Sequence, residues 1–114
     1  MNDAETRLQE IKDKVAAFTE ERNWTGQHSP KNLAMSIAIE AAELMEIFQW
    51  VSTDDAWKIT ESSEFTHLQE ELADVIIYCC SLASRLNIDV AAAIEDKMEK
   101  NAKRYPAVAT RTRA

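Results

Sequence analysis

Apolar side chains recur along most of this chain at intervals of three and four residues, the spacing that places them on one face of an α-helix. Leu8, Ile11, Val15 and Phe18 set the pattern in the first stretch, and three longer stretches follow. The pattern predicts four helices, at residues 6–22, 30–51, 64–86 and 90–104. Helices of this number and length favour a four-helix bundle.

Cap residues and helix breakers mark the ends of these predicted helices. Ser29 is the expected N-cap of the second helix because Pro30 follows it in the first turn, and Asp89 is the expected N-cap of the fourth. Between the second and third helices the chain is polar, and Thr53 is predicted to cap a short turn that extends through Trp57. The breaks therefore fall where the apolar pattern is interrupted.

The composition supports an all-α fold in a single domain. The chain has 114 residues, of which 46% are hydrophobic, with one glycine and two prolines, too few for a turn-rich β-protein. We expect one helical domain at residues 1–106, ended by Tyr105-Pro106, and a flexible C-terminal tail at residues 107–114. Because the second and third helices look apolar on more than one side, we also expect a homo-oligomer.

Charge and cysteine content limit the class of partner and the compartment. The formal net charge is −7, from 20 acidic and 13 basic residues, whereas proteins that bind a nucleic-acid polymer present a broad basic surface. The sequence shows no apolar run near 18 residues, so we expect neither a signal peptide nor a membrane partner. Cys79 and Cys80 are adjacent on a predicted helix and cannot easily bridge each other, which favours the reducing cytoplasm.

Two pairs of carboxylates lie inside apolar, helix-favouring runs. Glu40-x-x-Glu43 occurs in the second helix and Glu71-x-x-Asp74 in the third, and this spacing points both members of a pair the same way. If the two helices pack together, the four carboxylates converge, and a divalent cation would offset the cost of burying like charges. All-oxygen ligands suit Mg²⁺ or Mn²⁺ rather than zinc. The alternative is that all four are ordinary solvated charges.

The fourth helix carries polar residues suited to an anionic ligand. Lys97, Asn101 and Arg104 follow one another by four and three residues, so they share one helix face. Arginine binds phosphate through a two-pronged fork and lysine binds it as a point charge. The alternative is a basic helix end that complements the helix dipole without any ligand.

Aromatic residues form the third group of candidates. Tyr78 follows Asp74 by four residues and shares its helix face, and Trp24 and Trp50 lie at or beside predicted loops. Stacking a nucleobase on such rings contributes about 1–3 kcal/mol. The alternative is packing in the core, which we accept for Phe48.

A different metal site is suggested by Glu64-x-x-His67, the ligand pair of ferritin-like di-iron bundles. That site needs two such pairs, and the sequence has one. His67 is therefore expected to be a surface or helix-start histidine, and a di-iron protein is the weaker hypothesis.

The order and spacing of these motifs resemble the all-α nucleoside triphosphate pyrophosphohydrolases, the MazG-like superfamily. The two carboxylate pairs carry the resemblance, and it covers about Phe18 to Pro106. Five runs are similar to the dCTP pyrophosphatase branch: ERNW, HSPKNL, ELMEIFQW, EELADVIIY and KMEKNAKRYP. At the helix-one position where that branch can carry a histidine, this chain has Val15.

The resemblance implies a helical bundle that assembles as a homodimer or a homotetramer. It implies Mg²⁺-dependent hydrolysis of a nucleoside triphosphate to the monophosphate and pyrophosphate, with dCTP or a modified dCTP favoured, in nucleotide-pool sanitation. Glu40, Glu43, Glu71 and Asp74 would be the catalytic metal ligands. Seven residues would contact the nucleotide: Trp24, His28, Trp50, Tyr78, Lys97, Asn101 and Arg104.

Two hypotheses from other classes stay open at the level of sequence. A non-enzymatic helical interaction module with solvated acidic faces would bind Mg²⁺ weakly and turn nothing over. A di-iron protein would be coloured by its iron. The sequence also leaves open which carboxylate acts as general base.

Overall fold

The computed structural model describes residues 1–107, and every regular element in that range is helical. Its five α-helices are α1 (Leu8–Glu21), α2 (Pro30–Glu46), α3 (Thr53–Ala56), α4 (Phe65–Arg85) and α5 (Val90–Arg104). Two short 3-10 helices, Thr25–Gln27 and Trp57–Glu61, lie in the connections. The predicted all-α class is confirmed, and the four long helices are those that the apolar spacing predicts. Apart from Ala107, the predicted tail at residues 107–114 lies outside the described residues.

The central helix is α4, and both α2 and α1 pack along it. Leu33 on α2 is the most deeply buried large side chain, with 1% of its surface exposed. The buried residues of α4 are small ones, Cys80, Ser81 and Ala83, and small side chains let neighbouring helix axes approach closely. The contacts of α4 with α2 and with α1 hold the three helices together as one packed unit.

Side-chain caps begin α2 and α5 where the sequence predicts them. The Ser29 hydroxyl accepts a hydrogen bond from the backbone N–H three residues later at 3.1 Å, and the Asp89 carboxylate does the same at 3.0 Å. The predicted cap at Thr53 is wrong, because Ser52 caps α3 instead through an equivalent bond of 3.1 Å. Serine and threonine both cap helices well, so the pattern locates this cap only to within one residue.

The helix α2 ends earlier than the apolar pattern predicts, at Glu46 instead of Val51. The N–H groups of Ile47 and Phe48 bind carbonyls three residues back, at 3.3 and 3.0 Å, and such bonds tighten the chain where a helix ends. Both side chains remain half-buried, which explains why the apolar spacing continues past the helix. Trp50 therefore lies in a turn and not on α2.

Asparagine ends both α1 and α4 in the same way. Asn23 and Asn87 have φ angles of 57° and 58°, a left-handed conformation that asparagine tolerates better than most residues. After α1, the N–H of Trp24 binds the Thr19 carbonyl at 3.0 Å. The N–H of Asn23 binds the Glu20 carbonyl at 3.1 Å, which completes the hydrogen-bond pair of a Schellman motif. This turn sets where Trp24 leaves the helix.

A buried lysine joins α1 to the connection between α4 and α5. Lys12 is 8% exposed, and its Nζ donates a hydrogen bond to the Ile88 carbonyl at 2.8 Å. That carbonyl lies just past the C-terminus of α4, where carbonyl groups lack helical partners and the helix dipole favours a cation. One buried cation thus ties the first helix to the end of the central one.

The apolar face predicted for the third helix is only partly buried. Leu72 and Ile76 on α4 are 47% and 46% exposed, Leu86 directly after it is 50% exposed, and Cys79 is exposed as well. Apolar residues cover a larger part of the surface of α4 than α1 and α2 bury, so part of this apolar face stays exposed. A single chain therefore presents a large apolar surface.

The last helix, α5, extends away from the packed helices, and the chain turns by 104° between α4 and α5. Every residue from Ala91 to Arg104 is exposed, including Ile94 and Met98 on its apolar face. No single helix within residues 1–107 is long and apolar enough to cross a membrane, and α4 and α5 meet that test only as a bent pair.

We predict that Asn23→Val lowers the free energy of unfolding by about 1–2 kcal/mol, because a β-branched side chain is strained in the left-handed conformation. Asn23→Gly should match the natural protein closely, since glycine adopts this conformation freely. Urea unfolding at one fixed protein concentration measures both variants. Equal stability of the two would contradict the importance of this turn.

Candidate active site

Four carboxylates lie along the contact between α2 and α4, and we call them the carboxylate cluster. Glu40 and Glu43 are one turn apart on α2, and Glu71 and Asp74 are one turn apart on α4. Packing of the two helices therefore brings the two pairs together. Carboxylate oxygens of Glu40, Glu43 and Glu71 all lie within 4.8 Å of one another.

Asp74 stands at the edge of the carboxylate cluster and faces a neighbouring cavity. Its charge contributes to raising the pKa of both Glu40 and Glu71, although it lies outside the group of three whose oxygens converge. Asp74 also lines an apolar cavity between α1 and α4. The residue thus connects the cluster with that cavity.

Repulsion and burial make the carboxylate cluster difficult to ionise fully. A hydrogen bond with Glu43, together with burial and the charges of the other three members, raises the pKa of Glu40 to about 7. Burial, followed by a hydrogen bond with Glu43, raises the pKa of Glu71, while a hydrogen bond with His67 acts in the opposite direction. Like charges this close disfavour complete ionisation, so the metal-free cluster retains a proton up to about neutral pH.

Two carboxylate oxygens of the cluster are buried without a partner. Glu40 Oε2 and Glu71 Oε2 accept no hydrogen bond from any group in residues 1–107. Buried carboxylate oxygens are costly to leave unpaired. A hard divalent cation coordinates through oxygen donors of this kind, so the residues present fit such an ion.

His67 contacts the carboxylate cluster, which the sequence reasoning missed. Its Nδ1 lies 3.0 Å from Glu64 Oε2 and its Nε2 lies 3.3 Å from Glu71 Oε1. The contact with Glu64 contributes most to raising the pKa of His67. Its half-exposed position near the start of α4 is as predicted. The spacing in the sequence could have predicted this contact, because Glu64 lies three residues before His67 and Glu71 lies four residues after it.

A cavity of about 430 Å³ opens beside the carboxylate cluster, and we call it the apolar cavity. Apolar and aromatic side chains form most of its wall. Three of the predicted nucleotide contacts line it, namely Trp24, His28 and Tyr78. Val15, at the position where the dCTP pyrophosphatase branch can carry a histidine, is half-buried in the same wall.

Aromatic rings run in a row along the apolar cavity from α1 to α4. Phe18 and Trp24 pack edge to face, with ring centroids 5.6 Å apart. The centroids of Trp24 and His28 are 6.2 Å apart, and those of His28 and Tyr78 are 6.3 Å apart. These contacts join the loop after α1 to α4, so the loop holds Trp24 and His28 at the cavity.

A second, polar opening of about 550 Å³ adjoins the cluster through Glu43 and Glu71. The rest of its wall comes from four residues: Glu46, Ile47, Glu64 and His67. The cluster therefore borders the apolar cavity through Asp74 and the polar opening through Glu43 and Glu71.

Four of the predicted nucleotide contacts lie away from both openings. Lys97, Asn101 and Arg104 are exposed on α5, and none of them lines the apolar cavity or the polar opening. Trp50 is 89% exposed in the turn after α2 and lines neither space. Within one chain, the structure brings the cluster and three aromatic contacts together and leaves these four residues apart.

The carboxylate cluster lies in a stretch that is typical of one protein family. Residues 35–113 match the sequence profile of the MazG-like family, and this range contains all four cluster residues. The chain belongs to the MazG-like family. The resemblance inferred from the motifs is thereby confirmed.

Several mammalian proteins named dCTP pyrophosphatase 1 are similar to this chain. The protein dCTP pyrophosphatase 1 from Rattus norvegicus is 41% identical over 106 residues, which cover 90% of this chain and 61% of the relative. The protein of that name from Homo sapiens is 39% identical over 107 residues, with coverage of 90% and 61%. This chain therefore spans about three fifths of the length of these relatives.

A solved structure shares the whole fold. The crystal structure of a pyrophosphatase from Archaeoglobus fulgidus is 40% identical in sequence and gives a TM-score of 0.83. The similarity covers 94% of this chain and 99% of that one. The arrangement of helices is therefore that of an all-α pyrophosphatase.

We predict that the metal-free protein loses stability as the pH rises from about 5 to about 8. The raised pKa values of Glu40 and Glu71 mean that the folded state keeps protons which the unfolded chain has already released. The contribution of Glu40 to stability is therefore fully present below the ordinary carboxyl pKa of 4.5 and is lost as the pH passes through its folded value of about 7. Melting temperatures in the presence of a chelator measure the effect.

A matched pair of variants tests the source of this pH dependence. Glu40→Gln should flatten it, because glutamine does not titrate. Glu20→Gln, on the exposed surface of α1, should leave it unchanged. If Glu40→Gln keeps the full slope of the natural protein, the cluster is not its origin.

Proposed function

We propose that this protein is a nucleoside triphosphate pyrophosphohydrolase that depends on a divalent metal and releases the nucleoside monophosphate and pyrophosphate. The observation that carries the proposal is the carboxylate cluster, with two unpaired buried oxygens, beside a cavity lined by aromatic rings. Membership of the MazG-like family and similarity to dCTP pyrophosphatase 1 and to an archaeal pyrophosphatase support the same reaction. The favoured substrate is dCTP or a modified dCTP, and the role is nucleotide-pool sanitation.

The carboxylate cluster would hold Mg²⁺, or Mn²⁺ in its place. Its four side chains offer only oxygen donors, the ligand type that both ions prefer. The buried oxygens of Glu40 and Glu71 that lack a partner are the acceptors such an ion would satisfy. When bound, the ion neutralises phosphate oxygens and lowers the pKa of a water molecule.

The chain's own part in the reaction is to position the nucleotide and to accept a proton. One cluster carboxylate takes the proton of the water that attacks the α-phosphorus. The bond from the α-phosphorus to the bridging oxygen breaks, and pyrophosphate leaves. Trp24, His28 and Tyr78 would hold the nucleoside, with stacking that contributes about 1–3 kcal/mol per base.

The alternative function, a non-enzymatic interaction module, requires solvated carboxylates. In the cluster only Glu43 is exposed, and the other three side chains are half-buried. The raised pKa of Glu40 is the mark of crowded charges rather than of solvated ones. A di-iron protein is disfavoured as well, since His67 is the only histidine lining the polar opening.

The proposal includes a single helical domain at residues 1–106 and a cytoplasmic location. Cys79 and Cys80 are both free thiols, the state that a reducing compartment maintains. The net charge of −7 favours a small nucleotide handled through a metal over a nucleic-acid polymer.

We predict that incubation of dCTP with the protein and Mg²⁺ yields dCMP and intact pyrophosphate, as read by anion-exchange chromatography. Glu43→Gln should abolish turnover because it removes a metal ligand or the general base. The same variant should reduce the rise in melting temperature that Mg²⁺ causes in the natural protein, since a ligand that binds the folded state more weakly stabilises it less.

Glu20→Gln is the control for this experiment and should keep both activity and the Mg²⁺-dependent shift. Products of dCDP and orthophosphate would mean cleavage at the γ-phosphate and would contradict the reaction. Full activity of Glu43→Gln would contradict the site.

We infer that the working form is a homo-oligomer, either a dimer or a dimer of dimers. The chain exposes 9266 Å², whereas a compact monomer of this size exposes about 6,300 Å². Its radius of gyration is 17.0 Å, against about 13 Å for a compact domain of this length. Exposed apolar side chains lie on three helices: Ile39, Met45, Leu72, Ile76, Ile94 and Met98. A second copy that covers them supplies the burial that a single chain lacks.

The second copy would also supply the basic residues of the site. Glu71 and Asp74 lie in the first half of α4, whereas α5 begins beyond its far end and turns away by 104°. Arg104 and its two neighbours on that face therefore reach the phosphates when α5 of another copy lies across the site. Trp50, exposed after α2, would close over the base in the same assembly.

Mixed assemblies of two impaired variants test this arrangement. We predict that Glu43→Gln and Arg104→Ala are each nearly inactive alone, but that co-assembly restores activity. In a mixed assembly, the Arg104→Ala chain supplies an intact Glu43 and the Glu43→Gln chain supplies an intact Arg104, so one complete site forms. Initial rates at a series of mixing ratios measure the recovery.

The control for this test is Lys103→Ala, because Lys103 lies off the face that carries Arg104. It should be active without a partner variant. If Arg104 acts on the cluster of its own chain, every mixed site lacks one of the two groups, and no mixture gains activity.

A further inference from the structure

Ser81 is a buried serine whose hydroxyl has no hydrogen-bond partner within the described part of the chain. The residue is 7% exposed, and its side chain makes no hydrogen bond with any group in residues 1–107. A serine within a helix commonly bonds to the carbonyl four residues back, and Ser81 does not. It lines the apolar cavity. Because its hydroxyl lines the cavity and has no partner within the chain, a polar group that enters the cavity can bond to it.

The helix α4 places Ser81 at the end of the cavity away from the carboxylate cluster. Asp74, Tyr78 and Ser81 follow one another by four and three residues and all line the cavity, so they share one face of α4. Seven residues of helix span about 10 Å. A nucleotide whose phosphates lie at the cluster would therefore extend its base toward Ser81.

The orientation of the Ser81 hydroxyl is not fixed by any hydrogen bond within residues 1–107. Thr19 lines the same cavity, but its hydroxyl donates to the Ala16 carbonyl at 2.9 Å. Lys14 is exposed, and Val15 provides only an apolar surface where the dCTP pyrophosphatase branch can carry a histidine. A polar base edge that extends past Tyr78 would meet the Ser81 hydroxyl, which is free to turn a lone pair toward an amino group.

We propose that Ser81 reads the base of the bound nucleotide through a hydrogen bond to its edge opposite the sugar. This inference rests on the proposed nucleotide hydrolysis. A serine hydroxyl both donates and accepts, and it would accept from the 4-amino group of cytosine, the polar group farthest from the sugar. A site built around such a bond disfavours a base that lacks the matching group, which makes Ser81 a specificity-determining residue.

The test compares dCTP with an analogue that lacks the 4-amino group. For the natural protein, kcat/KM for the analogue should be roughly three- to tenfold lower than for dCTP, the worth of one neutral hydrogen bond, and the loss should appear mainly in KM. Ser81→Ala should lose the same factor with dCTP and little more with the analogue. Ser81→Thr, which keeps a hydroxyl, should recover part of the difference.

Ser84→Ala is the matched control, because Ser84 is a half-buried serine of the same helix that does not line the cavity. It should keep the natural ratio between the two nucleotides. An equal loss for both nucleotides in Ser81→Ala, or an unchanged ratio, overturns the inference and leaves the hydrolysis standing. A natural protein that hydrolyses no triphosphate overturns the proposed function and this inference together.

Discussion

The packing of α2 against α4 is the contact on which the rest of the molecule depends. This packing holds Glu40 and Glu43 against Glu71 at distances that isolated carboxylates would avoid. The raised pKa of Glu40 reflects its hydrogen bond with Glu43, its burial and the repulsion between the crowded carboxylates. The fold thus uses apolar contact to keep buried acceptors unsatisfied, and unsatisfied acceptors fixed in place are what a divalent cation binds without further ordering of the chain.

Limited burial within one chain is also the physical basis for the proposed homo-oligomer. The central helix α4 is apolar over a wider arc than α1 and α2 cover, and α5 is exposed along its length after Val90. A small domain with so little enclosed surface gains stability by association. If α5 of a second copy lies across the cluster, the site is completed only when the chains assemble. A single chain then holds the acidic half of the site without the basic half.

Periodicity predicted what depends on the local chain, and it failed where distant residues decide. The helices, the caps at Ser29 and Asp89, and the pairing of carboxylates all follow from spacing within one helix. The end of α2 does not, because Ile47 and Phe48 stay half-buried beyond it and continue the apolar pattern. The burial of Lys12 depends on a carbonyl 76 residues away. No local pattern in the sequence carries that information.

A single helix face sets the distance between the charged and the apolar parts of the site. Asp74, Tyr78 and Ser81 project from one helix, so the distance between the acidic end of the cavity and the end near Ser81 is fixed. Under the proposed function, water and phosphate would reach the carboxylates through the polar opening beside Glu43. The base would lie in the apolar cavity, where one hydrogen bond can favour one base over another. Because about two helical turns separate Asp74 from Ser81, substitutions near Ser81 would change which base fits without moving the carboxylates.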